Sequence, residues 1–277
     1  MGICTDKSVE HLKSLNLNTI LQPQEDIAPV QLLGEYKGAC GIIGRLDQLV
    51  VQPGGALPQI DRGVAANING RKSSKLPLSL GLDVLGNILG AMGGNIGVAA
   101  SYASARNVQF AYEEVTRHRA NTISIGDYLT SAAIRWDHPI LKKYLFGAGN
   151  LYVLTEVVTS RRIGVTAYRS DNTALNLDVP VIQAAVGGSV SVGSESESSS
   201  SVTYEGSTDL AFGFVAIELS AGTRGDDDEI DLVFRPVKAG SASFSVIGGG
   251  AAALVFADLE GALSGLERVG PDALGEH

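Results

Sequence analysis

Gly188 to Tyr204 reads GSVSVGSESESSSSVTY. Its composition is that of a linker, but its order is not. Val190, Val192, Val202 and Tyr204 fall on even positions, and Glu195 and Glu197 on odd ones. A two-residue register is the period of a β-strand, whose successive side chains point to opposite faces. The stretch therefore predicts two strand arms, Val181–Val192 and Val202–Phe212. A polar Ser/Glu tip at Gly193–Ser201 joins them.

The same alternation occurs earlier. From Ile60 to Gly70 the even positions are Ile60, Arg62, Val64, Ala66 and Ile68. From Ile96 to Tyr112 they include Val98, Ala100, Tyr102, Val108, Phe110 and Tyr112, interrupted by Ser104 and Arg106. The opposite face is mostly small and uncharged. Between these runs lies LPLSLGLDVLGNILGAM (Leu76–Met92), with Leu85, Ile88, Leu89 and Met92 at helical spacing. Gly93-Gly94 predicts its end. The chain thus carries two pairs of alternating segments, Ile60–Arg71 with Asn95–Tyr112 and Val181–Val192 with Val202–Phe212. Outward-apolar alternation over about 10 residues marks membrane β-strands, and a half-buried soluble sheet gives the same pattern.

Around these pairs, 27–51 predicts one or two strands with a turn near GEYKGACG. Residues 124–146 read as helical. Leu151–Thr159 and Ile163–Tyr168 read as two β-rich runs across a basic corner at Arg161-Arg162. Phe214–Leu219, apolar on both faces, predicts a buried strand. Ile230–Phe234 and Ser243–Ile247 predict short ones, and SVEHLKSLNL a short helix near the start. Ala251–Val269 reads as an amphipathic helix, with Phe256, Leu259, Leu263 and Leu266 on one side.

The 277 residues include 34 Gly and a single Trp, and 44% are hydrophobic, a composition that buries a core. The net charge of −9 argues against non-specific nucleic-acid binding. The charge is uneven. Residues 222–277 hold four basic and ten acidic side chains, whereas 106–169 hold nine basic and five acidic. Two cysteines, Cys4 and Cys40, make no disulfide framework, and Cys40 in GACGII reads as a buried apolar residue. No apolar run reaches the roughly 20 residues of a membrane helix, and no signal-peptide core opens the chain. Hydropathy alone therefore predicts a soluble protein. Catalytic motifs are missing: there is no G-x-S-x-G elbow, NGRKSS departs from the phosphate loop, and the four histidines lack ligand spacing. Neither an enzyme nor a metal or cofactor site is expected. DDDEID reads as a solvated acidic turn.

LYVLTEVVTSRRIGVTAY (Leu151–Tyr168) resembles a strand-turn-strand of the gasdermin pore-forming domain. LPLSLGLDVLGNILGAMGGNIGVAASYA resembles the first membrane-hairpin region of bacterial gasdermins. The resemblance implies an α+β fold, a twisted central antiparallel sheet with surrounding helices, plus a short C-terminal inhibitory helix. It implies a pore-forming domain at 1–247 and an autoinhibitory peptide at 248–277, in place of the large repressor domain of animal gasdermins. It also implies a mechanism. The intact protein is cytoplasmic and latched by Val255, Phe256, Leu259, Leu263 and Leu266. A caspase-like protease cuts within Gly248–Phe256. The core then oligomerises, and both segment pairs join a β-barrel in the inner membrane. The cell dies and phage replication stops.

If the cut falls near Phe256, the lost segment 257–277, with one basic and five acidic residues, moves the core from −9 to −5 and favours anionic lipid. Arg106, Arg117, Arg119, Arg135, Lys142, Lys143, Arg161 and Arg162 are the candidate head-group contacts. Cys4 matches the position of a palmitoylated cysteine in bacterial gasdermins. MGICTD fails the myristoylation pattern because position 6 is Asp6, whereas an S-palmitoyl group and a free thiol both stay open at Cys4. Three alternatives also stand on the residues alone: a soluble β-rich binding or scaffold protein without membrane activity, an enzyme of an unrecognised class, and a pore former with another trigger.

Overall fold

The computed structural model describes residues 17–36, 39–73, 75–95, 97–130, 132–194, 197–224, 229–236, 243–247 and 253–256. The first part holds β1 (Asn18–Gln24), β2 (Gln31–Tyr36), β3 (Ala39–Arg45), β4 (Val50–Gln52), β5 (Ile60–Val64), β6 (Leu76–Pro77) and helix α1 (Leu78–Ala91). A 3-10 helix (Gly97–Tyr102) precedes β7 (Asn107–Glu113), β8 (Thr116–Ala120), α2 (Thr122–Leu129), β9 (Ala133–Ile134) and α3 (Pro139–Leu145). The remainder runs β10 (Asn150–Tyr168), β11 (Leu177–Asp178), α4 (Val179–Val186), β12 (Ser191–Gly193), β13 (Ser198–Ser199), β14 (Ser201–Arg224), β15 (Glu229–Pro236), β16 (Ser243–Ile247) and β17 (Ala253–Phe256). The class is α+β, with a curled, mainly antiparallel sheet, as expected.

β10 and β14 form the spine. They pair antiparallel from Leu151↔Leu219 to Thr166↔Ser201. On its other side β10 meets β2, then β8, then β7. Val, Ile, Leu and Tyr dominate β10 because it is covered on both faces, and all but five of its 19 residues are buried. The corner expected at Arg161-Arg162 is absent, and the two β-rich runs are one strand. Neither residue breaks a strand. The ladder absorbs the site through register shifts between Val158 and Thr159 and between Ser160 and Arg162. Ser160 Oγ accepts from Arg162 N at 2.9 Å and lies 2.6 Å from Glu113 O, so the irregular backbone stays satisfied. Likewise, the arm 202–212 and the buried strand 214–219 are one continuous strand.

β2 and β3 form the expected hairpin. The helix predicted over Leu76–Met92 is α1, ending at Gly93 with φ +77. Its Leu85, Ile88 and Leu89 are buried, each contributing about 1.5–3 kcal/mol. The helical region 124–146 divides into α2 and α3, separated by β9 paired to β4. Asn121 caps α2, accepting from Ile123 N at 2.8 Å.

The C-terminal helix expected over Ala251–Val269 is corrected in part. Residues 253–256 form β17, antiparallel to β16 and to β3. Ala-Leu-Val-Phe offers an apolar run with β-branched Val255 and aromatic Phe256, residue types that suit a strand paired on both edges. Residues 257–269, with Leu259, Leu263 and Leu266, lie outside the described residues. β16 lies parallel to β1. The pairings β14–β1–β16–β17–β3–β2–β10–β14 therefore close a ring. The division expected at 247/248 falls between two strands of this sheet.

Candidate functional site

Three of the four alternating segments, 95–112, 181–192 and 202–212, meet in one buried cluster on the spine, and 60–71 places Ala65 and Ile68 in a neighbouring cluster with Val158 and Phe212. Ile163, Val165 and Ala167 of β10 form the floor of the first cluster. Leu85, Ile88 and Leu89 of α1 pack over it, with Val98 and Tyr102, Val108 and Phe110, Ile182 and Val186, and Val202, Tyr204 and Leu210. The sequence sets 130 residues between 60–71 and 202–212, and the fold brings the segments into two neighbouring clusters.

Three of the four have a different local structure from the continuous strands expected. In 60–71 only Ile60–Val64 is a strand, an exposed one paired to β8, and a turn follows it. Asn67, Asn69 and Gly70 are turn residues, and Gly70 has φ +71. In 95–112 residues 97–102 wind into the 3-10 helix, and only from Asn107 does the chain extend. In 181–192 residues up to Val186 belong to α4. Asp178 caps that helix, accepting from Val181 N at 3.1 Å, and Gly187 at φ +89 closes it. The Gln183 side chain then ties down the following turn, donating to Gly187 O and Val190 O and accepting from Val192 N. The fourth arm, 202–212, is a strand throughout.

Aromatic contacts join the two pairs. The Tyr102 and Tyr204 hydroxyls lie 2.6 Å apart, with both side chains fully buried. Burial raises both pKa values, Tyr102 well above the ordinary tyrosine value and Tyr204 to about 12. Tyr112 stacks on Phe212 with centroids 3.9 Å apart and planes within 4°. Sequence reasoning did not single out these pairs. The signal was present, because all four aromatics occupy the even face of an alternating segment.

The basic candidates divide into two sets. Arg117 and Arg119 both approach Glu156, at 2.8 and 4.0 Å. Arg161 pairs with Glu114 and Glu205 at 3.4 Å. Arg162 pairs with Glu113 at 2.8 Å and Glu114 at 3.3 Å. The 2.8 Å approaches of Arg117 and Arg162 run through Nε off the N–H axis, so they are ion pairs without a hydrogen bond there. These four arginines already have carboxylate partners, which only the strand register brings opposite them. Arg106, Lys142 and Lys143 form no ion pair among the described residues. Lys143 Nζ lies 3.8 Å over the Tyr36 ring, and Arg135 Nε donates to Val50 O.

Val255 and Phe256 lie on β17. Cys4 and Gly248–Gly250 lie outside the described residues, and so does the side chain of Cys40, whose backbone pairs with Glu35 and Leu254. The segment SVEHLKSLNL falls largely outside them too. Among the described residues no three His, Cys, Asp or Glu side chains gather as a metal site, and no helix is long and apolar enough to cross a membrane.

The profile of the Bacterial Gasdermin Family matches residues 20–229. A gasdermin of Vitiosangium is 38% identical over 220 residues, covering 79% of this chain and 83% of its own. One from a Desulfuromonadales bacterium is 31% identical over 250 residues, covering 88% and 91%. The solved structure of a bacterial gasdermin from Bradyrhizobium tropiciagri superposes with a TM-score of 0.58 at 18% identity, covering 84% of this chain and 91% of that one. At that identity the superposition supports the fold alone.

Proposed function

The chain belongs to the bacterial gasdermin family, a pore-forming and non-enzymatic family, and from that premise we propose an autoinhibited pore former released by proteolysis. Membership carries a pore-forming role, self-assembly and contact with membrane lipid. In the fuller reading the intact chain is cytoplasmic. A caspase-like protease cuts within Gly248–Phe256. The freed core assembles with its copies on anionic lipid of the inner membrane and kills the cell, ending phage replication.

The observation that carries this reading is the packing of 95–112, 181–192 and 202–212 in one buried cluster on the spine, with 60–71 in the adjoining cluster that Phe212 of the fourth arm also enters. In hydrocarbon every backbone group needs an internal partner, so a strand-built pore is a closed barrel. Segments 60–71, 95–112 and 181–192 hold only partial strands here, and each has the alternation a barrel strand requires. Release followed by extension turns 60–71 with 95–112, and 181–192 with 202–212, into two hairpins per subunit. β10 keeps its structure beneath them. β17 pairs with both β3 and β16, so a cut before it leaves the C-terminal segment a separate chain held to the sheet ring by non-covalent pairing alone. Val255 and Phe256 leave with Leu259, Leu263 and Leu266. An S-palmitoyl group on Cys4 would assist insertion, since one chain binds membranes only marginally.

The test is dye release from anionic vesicles. A known protease site is placed between Gly248 and Phe256, and cut and uncut protein are compared. Release after cutting alone is expected. Release without cutting removes the latch, and no release from fully cut protein removes the pore.

A further inference from the structure

β14 carries more residues past its neighbour than the ladder uses. Thr159 pairs with Ala211 and Ser160 with Leu210, but the next pair is Arg162 with Glu205. Arg161 alone thus stands opposite the four residues Gly206–Asp209, an excess of three on β14. None of the four has a ladder partner among the described residues. The excursion falls where β14 exchanges β12, on Thr203–Glu205, for β1, on Ala211 and Gly213. An ion pair pins each end. Glu205 meets Arg161 of β10 at 3.4 Å, and Asp209 meets Arg62 of β5 at 3.3 Å. Gly206 lies against Met92, and a Cβ there would come within 2.8 Å of Met92 Cγ.

The size of the excess is informative. Paired strand residues share a face, so an odd excess exchanges the faces of one strand relative to the other. With no excess Ile163 would pair with Ser207 and Val165 with Glu205, placing two polar side chains on the apolar floor of the cluster. With it they pair with Tyr204 and Val202. One extra residue, an ordinary bulge, would also keep the floor apolar, setting Val165 opposite Tyr204 and Ala167 opposite Val202. Two of the three extra residues are therefore surplus to the resting fold. They are not surplus to the alternation. Through the excursion Thr203, Glu205, Ser207 and Asp209 keep the odd positions, and no charged residue takes an even one between Val202 and Phe212. A surface loop has no need of that period. Drawn straight, 202–212 is an eleven-residue strand. At about 3.3 Å per residue and a tilt of about 45° it spans about 26 Å, against a lipid-facing band of roughly 25 Å in a barrel. Without 206–209 the remaining seven residues would span about 16 Å. We infer that Gly206–Asp209 is a reserve of strand length, folded out of the resting ladder and drawn straight when the second segment pair extends, with Glu205 and Asp209 then on the water-facing side. This rests on the pore-forming reading and adds where the fourth arm obtains its length.

Two measurements test it. The first is hydrogen exchange read by mass spectrometry on the full chain carrying the inserted protease site. It is followed before and after cutting on phosphatidylglycerol vesicles, alongside dye release. The amides of Gly206–Asp209 are expected to slow at least roughly tenfold after cutting, as unpaired backbone becomes ladder. Dye release with these amides exchanging as fast as in the intact chain overturns the inference and leaves the pore standing. Slowed exchange without release supports the straightening and overturns the pore. Neither slowed exchange nor release overturns both. The second measurement is a deletion series in the intact chain. Removing Ser207 and Thr208 together leaves an excess of one and the faces as they are, so the thermal midpoint should stay near that of the parent. Removing Thr208 alone leaves an excess of two and turns Glu205 onto the floor opposite Ile163, so the midpoint should fall by several degrees. A pair deletion that costs as much as the single one, or more, overturns the count on which the reserve rests.

Discussion

Removing one hydroxyl of the Tyr102–Tyr204 pair should cost more than removing both. The two oxygens lie 2.6 Å apart, and neither side chain reaches solvent. Tyr204→Phe leaves the Tyr102 hydroxyl buried without its partner. That costs about 1–3 kcal/mol, and the reverse variant costs the same. In the double variant neither polar group remains, and the rings still fill the site, so its cost approaches zero. The expected coupling is about 1–3 kcal/mol, read from a double-mutant cycle by urea denaturation followed by circular dichroism. Because Tyr102 lies on the first segment pair and Tyr204 on the second, the single variants should also release dye sooner after cutting. Alkali should do what the single variants do. The folded pKa of Tyr204 is about 12, above the unfolded value near 10. A raised folded pKa contributes stability that is present below pH 10 and lost as pH rises towards about 12. Single-variant costs that merely add in the double variant would refute the coupling. A flat stability profile between pH 10 and 12 would refute the burial argument.

Other predictions address separate contacts. Gly81→Ala should destabilise despite the roughly 1 kcal/mol that Ala gains in a helix, because its Cβ would fall on the Val108 side chain and overpacking costs about 1–3 kcal/mol. Val108→Ala in the same chain should restore stability, and a stabilised Gly81→Ala single variant by thermal denaturation would be the contrary result. Glu156→Gln strips Arg117 and Arg119 of their carboxylate and should cost about 1–3 kcal/mol, since the Glu156 side chain is only 13% exposed. Arg119→Ala, at 4.0 Å and 67% exposed, should cost under about 1 kcal/mol, and equal losses would contradict this ranking. His118 should titrate below 6.5, depressed first by burial and then by the Arg62 cation. A depressed folded pKa contributes stability above 6.5 that is lost as pH falls through the folded value, and a midpoint above 6.5 by NMR would contradict the assignment.

The spine elements were legible because their signals were unmixed. β10 and β14 are rich in β-branched and aromatic residues, and α1 carries helical spacing with a Gly-Gly stop. The segments misread as strands obey two periods at once. Ile182, Val186 and Val190 are four residues apart, and a spacing of four lies on one face of a strand and close to one face of a helix. Asp178 and Pro180 were the helix signals that decided between them, and the alternation concealed both. In 60–71 the asparagines and Gly70 outweighed the alternation. The partners of the arginines were not legible at all. Glu113-Glu114 and Arg161-Arg162 are 47 or more residues apart, and only the β7–β10 register sets them side by side.

The interrupted ladder between Val158 and Arg162 divides the spine as a row of perforations divides a sheet of paper. On one side, β10 from Leu151 to Val158 is clamped by β2, β8 and the later half of β14. On the other, from Arg162 to Tyr168, it carries β7 and the earlier half of β14, and with them the cluster that holds 95–112, 181–192 and 202–212. Shear applied to one half meets two register faults before it reaches the other. Two of the strand's three register faults thus fall together on this line, and the third, between Leu154 and Glu156, lies inside the clamped half.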